Sequence, residues 1–290
     1  MKESKHFFSA FLIFSFFTVY GTGLTLRYPW LEQNRSGQSL MERLPAPDGY
    51  HRIQVKNGSF ADWLRHLPLK KEHAPVRLYD GTLKPRQDVH FAVVNLDVGG
   101  RDLQQCADAV IRLRAEYLFS IRALSGIRFR FSSGHMADYR QWAAGYRPRI
   151  SGQSVTWIPS AAPDQSYDNF RRYLNTVFIY AGSHSLERQL SRVPDIGDMR
   201  IGDVFIQGGF PGHAVMVLDM AEDKQQGHKV FLLGQSYMPA QDFHILRNPG
   251  NPEWSPWYPL DFGERLVTPE WEFGAGDLRR FESPSANRNQ

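Results

Sequence analysis

The sequence predicts an α+β fold in which a helix comes first and an antiparallel sheet follows. Two observations carry that prediction. "GGRDLQQCADAVIRLRAEYL", residues 99 to 118, has the turn, the cap and the apolar spacing of a helix. From residue 202 onward, "DVFIQ", "HAVMVLDM" and "KVFLLGQSY" are apolar runs separated only by "GGFPG" and "AEDKQQGH". Connections that short suit an antiparallel meander.

The elements follow in chain order. Residues 1–23 read as a signal peptide: Lys2 and Lys5 precede an uncharged apolar run from Phe7 to Tyr20, and small residues follow at Gly21 and Gly23. The run is shorter than the ~20 residues that span a bilayer, so cleavage is expected rather than a lasting membrane span. Export to the periplasm or the extracellular space follows from that reading. Residues 24–88 form an N-terminal extension marked by turns, within which Ser59 caps a short helix carrying Phe60, Trp63, Leu64 and Leu67 at helical spacing. Residues 89–280 form the main α+β domain. It opens on the β-branched strand "VHFAVVNLDV", and "GGRD" turns that strand into the helix.

Asp102 is the expected N-cap, with Gln105 completing a capping box. Leu103, Cys106, Val110, Leu113 and Tyr117 then share the inward face, with Arg112, Arg114 and Glu116 mainly off it. "IRFRFSSG" reads as a strand and "SYDNFRRYLNTVFIYAGSHSLERQL" as one or two helical segments. The Pro- and Trp-rich stretch from 248 to 273 is expected to wrap the surface, and residues 281–290 to form a disordered tail.

Composition narrows the function. The 34 basic against 30 acidic residues leave a net charge of +4, too weak and scattered for a nucleic-acid partner. There is no H-E-x-x-H and no clustered Cys/His spacing, so neither a metal nor a cofactor is expected. The chain has one cysteine, so an internal disulfide is impossible and Cys106 is a free thiol.

A cysteine in the first turn of a helix faces unpaired N–H groups and a partial positive charge. Both favour the thiolate and could hold an oxyanion. A histidine within reach would complete the activation, lowering the thiol below its free pKa of about 8.5. His213 suits that role best: it opens a central strand beside Gly212, which leaves room for a neighbour. Asp219 shares its face but stands ~20 Å along the strand. Hairpin pairing instead sets Gln235 or Ser236 beside His213, and Gln207 from the preceding strand. Gln235 is the expected orienter of the ring, with Gln207 second.

"GDVFIQ…GHAVMVLD" resembles the strand pair of papain-like cysteine hydrolases, the cell-wall endopeptidases and amidases above all. That resemblance implies a papain-like arrangement, with a Cys-bearing helix packed on an antiparallel sheet. It implies Cys106 as nucleophile, His213 as base, Gln235 as orienter and a structural role for Asp203. The stretches "GHAVMVLDMA", "VFLLGQSYMPAQDFHILRNP" and "SPWY" are similar to an exported bacterial family defined as a domain of unknown function (4846).

The expected function is an exported cysteine hydrolase cutting an amide or peptide bond, its substrate a peptide or a peptidoglycan-like peptide. The alternative is a non-catalytic envelope module of the same fold, in which Trp254, Trp257, Tyr258 and Trp271 would stack on sugars. Thiol reactivity separates the two: a hydrolase thiol alkylates quickly near neutral pH.

Overall fold

The computed structural model describes residues 28–31 and 38–282. The expected signal peptide and residues 283–290 of the tail lie outside them. An antiparallel sheet of nine strands organises the molecule. In chain order these are β1 (His51–Arg52), β2 (His90–Val93), β3 (Ser191–Arg192), β4 (Val204–Gln207) and β5 (His213–Glu222), then β6 (Lys229–Gln235), β7 (His244–Leu246), β8 (Tyr258–Pro259) and β9 (Leu278–Arg280). They lie side by side as β2-β7-β6-β5-β4-β9-β3, with β1 pairing on β5 and β8 on β6. The meander β4-β5-β6 is therefore the middle of the sheet. Every residue of β5 except Glu222 is buried, which is why it reads as a continuous apolar run and not as an alternation.

Four helices matter for the site: α1 (Phe60–Arg65), α2 (Cys106–Ser120), α3 (Tyr167–Tyr180) and α4 (Ser183–Gln189). Ser59 caps α1, its hydroxyl accepting the Asp62 N–H at 3.2 Å. Both α1 and α2 pack on β5, and Leu40, Trp63 and Leu64 join the common core with no exposure. Residues 40–88 thus share the core and the sheet of the segment that follows them. Among the described residues no helix is long and apolar enough to cross a membrane.

Helix α2 differs from expectation in two ways. It starts at Cys106, with Gln105 as its N-cap. Asp102 is drawn elsewhere: its Oδ1 accepts the Ala240 N–H at 2.7 Å and the Gln105 amide at 3.0 Å. Nor are Arg112, Arg114 and Glu116 off the buried face, because the helix is enclosed nearly all round and all three are buried. Arg112 donates to Glu116 at 3.2 Å, to Asp97 at 2.6 Å and to Gln104 at 2.7 Å. Glu116 also accepts the Tyr167 hydroxyl at 2.7 Å. Charges taken this far from water persist only when paired and hydrogen-bonded. The pairing has a structural consequence, since Asp97 and Gln104 bracket the turn that leads into Cys106.

The Trp-rich stretch is also more deeply packed than a surface wrap. Trp257 and Tyr258 are buried and the Trp257 indole donates to the Pro45 carbonyl at 2.8 Å, while Trp254 stays exposed.

Candidate active site

The turn before α2 is clamped from three directions. Ala240 N–H holds Asp102, the Ser236 hydroxyl shares its one proton between the Gln104 carbonyl at 3.1 Å and the Gln241 carbonyl at 2.8 Å, and Arg112 holds the Gln104 side chain. Ser236, a candidate neighbour of His213, is thereby committed to the cysteine-bearing turn. Cys106 follows as the first residue of the helix, partly exposed. The backbone N–H groups of Ala107 and of Ala214, the residue after His213, lie near enough to its thiol to favour the thiolate. The start of α2 is thus seated against the start of β5.

His213 owes its place to Gly212. A Cβ on Gly212 would lie 2.4 Å from Ser183 Oγ, 2.7 Å from the Gly209 carbonyl oxygen and 2.8 Å from that of Gln207. Only a residue without a side chain lets the chain enter β5 there. The His213 ring is buried among Tyr237, Trp271 and Phe273, with ring centroids at 4.8, 5.4 and 6.0 Å.

The structure brings His213 and Gln235 together: Nε2 of the ring lies 2.7 Å from Gln235 Oε1. A β-bulge decides this contact. Along the outer part of the hairpin Phe231 pairs with Met220 and Leu232 with Asp219, but Leu233 then pairs with Val217, so Leu218 is the extra residue. Continuing the inner register from Gly234↔Met216 sets Gln235 opposite Val215, on the face that His213 shares. Without the bulge Gln235 would oppose Met216 and point to the other face.

Gln207 stands directly opposite His213 in the β4-β5 pairing, but its side chain is engaged away from the ring. Its amide donates to Asp277 at 2.8 Å and its oxygen accepts the Trp271 indole N–H at 2.9 Å. Asp219 sits at the far end of β5. There it is fully buried and holds Arg52 at 2.6 Å and Arg65 at 2.8 Å. Asp203 accepts two hydrogen bonds from Arg280, both at 2.7 Å, and ties β9 to the entrance of β4.

Beyond Gln235 lie three side chains that sequence reasoning did not place. Glu270 accepts the Gln235 amide N–H at 2.8 Å and the Lys84 ammonium at 2.8 Å. His244 opens β7 with its Nε2 3.4 Å from the same amide nitrogen and its Nδ1 2.9 Å from the Asp242 carbonyl oxygen. The polar–apolar alternation in "DFHIL" is the sequence signal that places His244 on a strand. No local pattern marks Lys84 or Glu270, which come from turns far apart in the chain.

The electrostatics run against the expectation of a preformed thiolate. Burial pushes the Cys106 thiol up to about 11, and Asp108 in the first turn adds to the shift. The N–H groups of Ala107 and Ala214 and its own act the other way without prevailing. Burial also takes His213 down to about 4, with the Gln235 hydrogen bond offsetting part of it and Lys84 adding to it. At neutral pH the Cys106 thiol and the His213 imidazole are both neutral, so at the thiol the dipole of α2 is outweighed by desolvation.

Cys106 opens into a cleft of about 610 Å³ that reaches Gly212, the residue before His213. His184 of α4 lines it, and the exposed Phe210 and Met238 stand at its mouth. Among the described residues no group of three or more His, Cys, Asp or Glu side chains is arranged to hold a metal ion.

A family model described as a domain of unknown function (4846) matches residues 40–280. The chain belongs to that family. The match takes in all nine strands of the sheet together with Lys84, Cys106, His213, Gln235 and Glu270. No curated protein and no solved structure matches the chain.

Proposed function

We propose that the protein is an exported cysteine hydrolase with a papain-like site, cleaving an amide or peptide bond, and that a cell-wall peptide is its substrate. One observation carries the reading: the helix headed by Cys106 packs on the strand headed by His213, with the thiol near the Ala214 N–H, and the His213 ring is held by Gln235 from the neighbouring strand. Export rests on the layout of residues 1–23 alone.

In this mechanism Cys106 is the nucleophile and His213 the general base. As Sγ attacks the carbonyl carbon, its proton passes to His213 Nδ1, and the oxyanion forms near the N–H groups at the start of α2. The imidazolium then gives that proton to the amine as the C–N bond breaks. Water then attacks the thioester carbon and gives its proton to His213; as the C–S bond breaks the acid leaves and that proton returns to Sγ. With both groups neutral at rest, the thiol does not have the fast alkylation near neutral pH expected of a hydrolase. Alkylation rate therefore does not separate hydrolase from envelope module, and turnover must.

The envelope-module reading would need aromatic faces open to sugars. The burial of Trp257 and Tyr258 weighs against it.

The test is turnover of a panel of amide and cell-wall-derived peptide substrates by the wild type, Cys106→Ser and His213→Ala. The reading expects turnover in the wild type, none in Cys106→Ser, and a loss of ~10²–10⁴-fold in His213→Ala. Equal turnover in all three folded proteins, or none in the wild type across the panel, would sink it.

A further inference from the structure

The donors and acceptors around Gln235 determine one another. Glu270 is a carboxylate paired with the Lys84 ammonium at 2.8 Å, both nearly inaccessible to water, so it can only accept. The Gln235 atom 2.8 Å from it must then be the amide nitrogen. His244 agrees: its Nδ1 faces a backbone carbonyl and must donate, which leaves Nε2 as an acceptor toward that same nitrogen. With its nitrogen committed twice, Gln235 can present only Oε1 to His213. The ring must therefore carry its proton on Nε2, and the lone pair is left on Nδ1.

We propose that Glu270, held by Lys84, is a positioning residue for this site: it locks the Gln235 amide and through it sets the tautomer of His213. The proposal rests on the hydrolase reading, in which Nδ1 must be the basic atom. An amide alone would not secure this, because its two ends are nearly the same shape and a half-turn exchanges oxygen for nitrogen. A charged acceptor makes the half-turn unfavourable. Lys84 in turn balances the buried carboxylate and lies 5.0 Å over the Tyr237 ring, which itself packs on His213. Ring, amide, carboxylate and ammonium form one connected unit drawn from four separate parts of the chain.

Substitutions separate this role from simple packing. In Glu270→Gln the Lys84 ammonium claims the introduced carbonyl, so the introduced NH₂ faces Gln235. Gln235 turns over, and its own NH₂ then meets His213 Nε2. Lys84→Met leaves Glu270 in place as acceptor. In the double variant no ammonium claims the introduced carbonyl, which can accept from Gln235 as the Glu270 carboxylate did.

The experiment is ring nitrogen NMR on the ¹⁵N-histidine-labelled protein, with the His213 signals assigned by their loss in His213→Gln. Expected are the Nε2–H tautomer in the wild type and in Lys84→Met, a population shift toward Nδ1–H of roughly tenfold or more in Glu270→Gln, and its reversal in the double variant. An Nδ1–H ring in the wild type, or a ring indifferent to Glu270→Gln, would overturn the proposal. Because the readout needs no substrate, the expected tautomers in a protein that turns over no amide would keep the positioning role and discard the hydrolase.

Discussion

Alkylation of Cys106 as a function of pH tests the electrostatics of the site directly. The thiol is pushed up to about 11, roughly 2.5 units above a free thiol at about 8.5, so its thiolate fraction at pH 7 should be lower by ~300-fold. Iodoacetamide, which reads the thiolate, should react at pH 7 about that much more slowly than with a free cysteine. The rate should climb tenfold per pH unit toward a midpoint near 11. Cys106 lines the cleft and is partly exposed; the midpoint of the rate reports ionisation, whereas exclusion lowers the rate at every pH without moving the midpoint. His213 is neutral at pH 7, its pKa lying near 4. Its removal therefore takes no positive charge from the thiol, and the midpoint in His213→Ala should stay above ~10 while turnover collapses. Asp108→Asn removes the second cause of the upward shift and should lower the midpoint. A midpoint below about pH 8 in the wild type that rises in His213→Ala would mean a preformed thiolate–imidazolium pair, and desolvation would then not be the dominant effect on the thiol.

Other outcomes follow from the same structure. Burial depresses His213 to about 4 and His244 to about 3, so both stabilise the fold fully above the unfolded value near 6.5 and lose that contribution as pH falls toward those values. For His213 alone the loss should reach about 2.5 kcal/mol by pH 4.5; urea unfolding at pH 7 and 4.5 should show a weaker pH dependence in His213→Gln, and an unchanged one would contradict the shift. Asp219→Asn leaves Arg52 and Arg65 without their buried carboxylate and should cost roughly 3 kcal/mol in urea unfolding, with Cys106 alkylation unaltered because the pair sits at the far end of β5. Gly212→Ala forces a methyl group onto two carbonyl oxygens that cannot swing aside, and should lower Tm by several degrees; a melting curve identical to wild type would show that the entrance to β5 has room to yield.

What the sequence determined by itself is the part of the molecule governed by near neighbours. The Ser59 cap, the short turns between β4, β5 and β6, and the apolar runs of those strands act over a few residues, so their pattern is visible without the fold. The same local logic set Cys106 in the first turn of a helix and His213 at the head of a strand, and hairpin counting reduced the partners of His213 to a few polar residues. It ranked Gln235 first and Gln207 second, on a register that counting alone could not fix. The choice lay with the bulge at Leu218, which shifts the register by one residue and turns Gln235 to the face of His213; one extra residue in a strand leaves no mark in an apolar run. Burial of Arg112 and Glu116 was equally hidden, because a helix enclosed on all sides pairs its charges with residues that arrive from Asp97, Gln104 and Tyr167. Tertiary structure also reversed the chemistry expected of Cys106. A helix N-terminus can be read from sequence, but desolvation depends on every atom packed around the sulfur, and here it is the larger effect. Lys84 and Glu270, 186 residues apart, meet behind Gln235 only because the folded chain returns there, and a buried pair of that kind has no period, cap or spacing by which it could be foreseen.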